Sequence, residues 1–106
     1  MGFVFARPRY QFDYIENAID ALKIVEAQSH PYDVIIVDQE MPALTGLEFV
    51  CELRKRGIST KVIVVAALLP SRDRWAYKQM GVHVIFDKPF DVIQLRSAVD
   101  ALAKVA

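Results

Sequence analysis

Apolar, β-branched runs alternate along this chain with stretches in which apolar positions recur every three or four residues, and helix-breaking residues mark the joints. "RYQFDYIE" (Arg9 to Glu16) alternates and is rich in aromatics, which predicts a strand, and Asn17 is placed to cap a helix carrying Ala18, Leu22 and Val25 on one face. "HPY" (His30 to Tyr32) breaks that helix. "DVIIVD" (Asp33 to Asp38) is apolar without alternation, so both its faces are expected to be covered, as in a parallel sheet between helices. Thr45 followed by Glu48 is a capping box, which starts a helix near Gly46 with Leu47, Val50 and Leu53 toward the core.

Gly57 ends that helix and "KVIVVAA" (Lys61 to Ala67) repeats the doubly buried strand pattern. Pro70 and Ser71 open a shorter helix through Trp75 and Ala76 that stops at Gly81; "HVIFD" (His83 to Asp87) is the next strand and "KPF" leaves it. Asp91 caps a last helix whose Leu95, Ala98, Val99 and Leu102 form the stripe of a helix packed on a sheet. Strands joined through helices run parallel, so the predicted fold is a flavodoxin-like α/β sandwich, one domain over residues 1–106. The start of the chain is different. "GFVFA" (Gly2 to Ala6) is a short strand that must turn back antiparallel after "RPR" or pair with another chain.

Composition narrows the partners. The 106 residues are 54% hydrophobic and carry thirteen basic and thirteen acidic side chains, so no global field favours nucleic acid or an anionic membrane. No apolar run reaches membrane-spanning length, "MGFVFARPR" is too short for a secretory signal, and the expected compartment is the cytoplasm. Cys51 has no second cysteine to pair with and reads as a buried, inert thiol.

Chemistry in such sheets gathers beyond the carboxyl ends of the strands. Those ends offer Asp38, then Ala66 with Ala67, then Asp87 with Lys88. A lysine reaching a carboxylate there either caps the sheet as an ion pair or stabilises a phosphoryl group on that carboxylate; the residues alone leave both readings open. Glu40 reads first as a solvated loop glutamate and second as a ligand for a metal near Asp38. His30 and His83 stand apart from other metal ligands, and of Trp75 and Tyr77 one suits the core and the other a partner surface. Gly-rich phosphate loops and Ser/His/Asp arrangements are absent, which disfavours a flavodoxin-like nucleotide binder.

"DQEMPALTG", "VIVVAA" and "GVHVIFDKPF" together resemble the response-regulator receiver domains, in register from about Arg9 onward. That resemblance implies a signalling module rather than an enzyme, with Asp38 at the phospho-acceptor position, Lys88 contacting the phosphoryl group, a cis bond before Pro89 and a histidine kinase as partner. It also exposes departures. The family's acidic pair after its first strand, which holds magnesium for phosphoryl transfer, is missing, because nine residues are too few for a first strand and its crossover. Ala66 stands where the family has a threonine or serine, and Ile85 where it has its switch aromatic.

Two functions follow from the resemblance. The first is a degenerate, shortened receiver acting through protein contacts, with a homodimer expected through the N-terminal segment, whose missing strand would bare an internal sheet edge, or through the face of the family's fourth helix, fifth strand and fifth helix. The second is a true phospho-acceptor, phosphorylated on Asp38, with magnesium held by acids lying ahead of Met1 or supplied by another chain.

Overall fold

The computed structural model describes residues 3–7, 11–15, 18–27, 34–40, 44–82 and 84–103, the first two segments through their backbone alone. Asn17, His30, His83 and the Met41-Pro42 step lie outside the described residues. Nine elements follow one another: β1 (Phe3–Arg7), β2 (Gln11–Ile15), α1 (Ala18–Ala27), β3 (Val34–Asp38), α2 (Gly46–Lys55), β4 (Lys61–Ala66), α3 (Ser71–Gln79), β5 (Val84–Asp87) and α4 (Val92–Ala103). The strands form one sheet in the order β2-β1-β3-β4-β5, the strand order of flavodoxin-like folds.

β3, β4 and β5 run parallel, as helix-length crossovers require, with Val34 opposite Lys61 and Ile63 opposite Val84. β1 runs against them. It pairs antiparallel with both β2 and β3, because the step from Arg7 to Gln11 is too short for the crossover that parallel neighbours need. β2 therefore runs in the direction of β3, and the chain reaches β3 through α1, stepping over β1. Of the two readings of "GFVFA", turning back within the chain is the one realised. The bare internal edge expected with a missing strand is not there, since Phe3 to Ala6 cover β3 from Val37 to Val34.

The two sheet faces are covered unequally. Ile35, Val37, Val62 and Val64 pack with Ala18, Ala21 and Leu22 of α1, Phe49, Val50 and Leu53 of α2, and Tyr77 of α3. On the other face, Val34, Ile36, Ile63 and Val65 meet Leu95 and Val99 of α4. Every residue of β3 and nearly all of β4 is buried, which is what an unalternating β-branched run predicts. The capping box forms as read from the sequence, with the Thr45 hydroxyl accepting from the Glu48 N–H at 3.2 Å and the Glu48 carboxylate accepting from the Thr45 N–H at 3.0 Å. Asp91 likewise caps α4, accepting from the Ile93 N–H at 2.8 Å. Cys51 departs from its expected burial: it is partly exposed, in a groove between α2 and α3 lined by Leu47, Ala76 and Met80.

Candidate functional site

β3 ends on Asp38, β4 on Ala66 and β5 on Asp87, all on one rim of the sheet. Parallel pairing brings these ends together although they are far apart in sequence. Beyond β5, the Lys88 N–H donates to the Ala66 carbonyl at 2.8 Å, and the peptide to Pro89 is cis, as the resemblance implies. That anchor points the lysine along the rim toward β3. Its ammonium donates to Asp38 Oδ1 at 2.8 Å and to Glu40 Oε1 at 3.2 Å. Asp38 is 3% exposed, so its carboxylate has given up most of its water and depends on these donors. The Glu40 N–H supplies another, reaching Asp38 Oδ1 at 3.0 Å.

Glu40 is more than a solvated loop residue. Its Oε1 accepts both from Lys88 and from the Ala67 N–H, the latter at 2.8 Å. Burial alone lowers the pKa of the Lys88 ammonium, but the hydrogen bonds and charges of Asp38 and Glu40 outweigh it and hold the group above the ordinary lysine range. Asp87, named with Lys88 as a strand-end residue, turns away to Arg74 of α3 at 3.0 Å and takes no part. Ala66 is fully buried and presents a methyl group to the rim. Ile85 lies opposite Val64 and packs into the cluster of α2 and α3.

Gln39 escaped the sequence reading, and so did the bond that ties Tyr77 to it. Gln39, next to Asp38, is tied at both ends: its N–H donates to the Val65 carbonyl at 2.9 Å and its carbonyl accepts from the Gly46 N–H at 3.2 Å. Its side-chain oxygen accepts from the Leu47 N–H at 3.2 Å and from the hydroxyl of Tyr77, which is fully buried on α3. Burial, followed by the charges of Asp73 and Glu40, pushes the Tyr77 phenol well above its ordinary pKa, so it remains a donor at any physiological pH. A Cβ at Gly46 would lie 2.7 Å from the Tyr77 hydroxyl and 3.0 Å from the Gln39 backbone, which is why glycine starts α2. Trp75 is the exposed aromatic of α3 and Tyr77 the core one.

The magnesium that the resemblance implies does not fit this donor set. A hard cation needs several oxygen ligands, and the two carboxylates at the rim are already bridged by one ammonium. Among the described residues no three acidic, histidine or cysteine side chains gather to hold a metal. The carboxyl end of β1, where the family's acidic pair belongs, is Arg7, one residue past Ala6, which lies opposite Val34 at the start of β3, and hence on the far rim from Asp38. No described helix is long and apolar enough to cross a membrane.

Comparison with known proteins agrees with this architecture. The profile of the response regulator receiver domain matches residues 1–100, starting ahead of the stretch that carried the sequence resemblance. The transcriptional regulatory protein CiaR of Streptococcus pneumoniae is 29% identical over 100 residues, 88% of this chain and 45% of that protein. Response regulator ArlR of Staphylococcus aureus is 33% identical over 79 residues, 74% of this chain and 36% of that protein. This chain thus spans less than half the length of either relative. Among solved structures, the receiver domain of the Francisella response regulator 1452 superposes with a TM-score of 0.73 at 32% identity, covering 83% of this chain and 71% of that one.

Proposed function

The chain belongs to the response regulator receiver domain family of two-component signalling, and we propose that it is an atypical member that works through protein contacts, with phosphoryl transfer to Asp38 slow or absent. The observation that carries this reading is the reversed β1, which sends its carboxyl end away from Asp38, so that among the described residues no acidic pair stands beside the phospho-acceptor position. Energetics point the same way. A pair of like unit charges about 4 Å apart at a protein surface repels by roughly 4 kcal/mol. Lys88 is one positive charge shared by two carboxylates, so an incoming phosphoryl group meets uncompensated charge on a scale of about a thousandfold in rate. Ala66 adds no hydroxyl donor, and Ile85 has no ring to turn between states.

Protein contact has surfaces to use. Trp75 on α3 is 65% exposed, and Val92 and Ile93 at the start of α4 are exposed as well, around the face made by α3, β5 and α4. Exposed aromatic and aliphatic groups suit a partner interface, with a histidine kinase, another signalling protein or a second copy as the occupant. The second reading, a true phospho-acceptor served by a histidine kinase, is favoured by one observation: Asp38 and Lys88 remain paired at 2.8 Å. Incubation with magnesium and acetyl phosphate, followed by intact mass measurement, decides between them. An unchanged mass is expected. A phosphoryl adduct that disappears in Asp38→Asn would establish the second reading instead.

A further inference from the structure

We propose that the Glu40 carboxylate is a resident anion of this site: it occupies the Ala67 N–H and the Lys88 ammonium, the donors that an oxyanion seated beside Asp38 needs, and so keeps such an oxyanion out. The proposal rests on the reading of Asp38 as the centre of the site and adds a cause for its resistance to phosphoryl groups. It stands on one atom. Glu40 Oε1 accepts from the Ala67 N–H at 2.8 Å and from Lys88 Nζ at 3.2 Å, two donors from different strand ends that converge on a single oxygen. The same residue's N–H is turned to Asp38 Oδ1 at 3.0 Å, so its backbone serves the buried carboxylate while its side chain folds back over the rim.

The donor pattern is that of an oxyanion cradle, a backbone amide and an ammonium aimed at one negatively charged oxygen. Ala66 leaves a methyl at the end of β4, so the amide that follows it is the donor the strand end offers, and Glu40 holds it. Charge explains why the arrangement excludes other anions. With Asp38, Glu40 and Lys88 together, the rim carries one negative charge in excess; without the Glu40 carboxylate the remaining pair is balanced, and the amide and one face of the ammonium become free. Glu48, in the first turn of α2 that follows this loop, accepts from the Thr45 N–H of its own helix cap and provides a control.

The test uses the 15N-labelled chain titrated with inorganic phosphate in metal-free buffer, read at the Ala67 amide. In Glu40→Ala, the Ala67 resonance is expected to respond with a midpoint at least tenfold lower in phosphate than in the natural chain or in Glu48→Gln. Glu40→Gln, which keeps the side-chain length, is expected to move in the same direction. Adding Lys88→Ala to Glu40→Ala is expected to remove the gain. Equal midpoints in the natural chain and both Glu40 variants, no response in Glu40→Ala, or a response that survives loss of Lys88 overturns the proposal. Because no phosphoryl transfer is measured, the outcome stands apart from the acetyl phosphate experiment, where an adduct on the natural chain would overturn the atypical reading while leaving this result to be read by itself.

Discussion

The sheet has two halves built by different rules. From β3 to β5 every strand is followed by a helix, so the strands run parallel and deliver Asp38, Ala66 and Lys88 to one rim. At the other end, β1 and β2 are joined by a short link, so β1 is reversed and presents its amino end to that rim. Strand order is the same as in a complete flavodoxin-like sheet; strand direction is not. The difference teaches that connection length, acting through direction, decides which chemistry reaches a site. A strand can keep its place in a sheet and still withdraw the residues that follow it.

The comparison can be attacked most directly at β1. If β1 is an internal strand paired on both sides, Val4→Pro removes a ladder donor and disturbs its neighbours, with each unsatisfied backbone group costing about 1–3 kcal/mol. A total loss of roughly 3 kcal/mol or more in denaturant unfolding is expected; a change near zero would mean that the hairpin is an ornament on a three-stranded core. The parallel half is probed next by Lys88→Met, which leaves the buried Asp38 without its cation. Full loss of a buried pair costs about 3–5 kcal/mol, but Lys88 is partly exposed, so about 2 kcal/mol is expected at pH 7. The pH dependence has a defined sign. The folded pKa of Lys88 is raised, so its stabilisation is whole below the ordinary lysine value of about 10.4 and disappears as pH rises through the folded value. The natural chain should lose stability in that alkaline range, and Lys88→Met should not show that component.

The smallest of these effects sharpens how the rim is tied to the helices. Gly46→Ala forces a Cβ against the Tyr77 hydroxyl and the Gln39 backbone, for a loss of about 1–2 kcal/mol. Tyr77→Phe removes the hydroxyl and costs about 1 kcal/mol through the lost bond to Gln39. Combined, the two should cost less than their sum, because the ring that replaces the phenol leaves space for the new methyl; strict additivity in the double-mutant cycle would deny the contact.

Legibility in the sequence followed the range of the interaction. The capping box at Thr45, the Asp91 cap and the doubly buried β3 and β4 are local patterns whose chemistry is complete within a few residues, and each appears as read. Asp38 and Lys88 were legible through the family resemblance, and the structure places them in contact. The double role of Glu40 was not, since a glutamate two residues past a strand looks solvated until parallel pairing sets the Ala67 amide beside it. The bond between Gln39 and Tyr77 is hidden for the same reason: it joins a loop to a helix through packing that no spacing rule describes. The antiparallel turn of β1 was one of two readings offered by "RPR", and nothing local chose between them. The helical pattern that predicts burial of Cys51 does not hold there, because Cys51 sits at the edge of the apolar stripe, where α2 and α3 leave a groove.

Reversal of β1 also governs how this molecule can be attached to anything else. The amino end of β1, at Phe3, lies beside Val37, one step from Asp38. The far end of α4 lies at the opposite rim, where Lys61, the first residue of β4, donates to the Leu102 carbonyl at 2.8 Å. A fusion, tag or surface tether joined ahead of β1 therefore emerges over the site, whereas one joined after α4 leaves that rim open to whatever docks there.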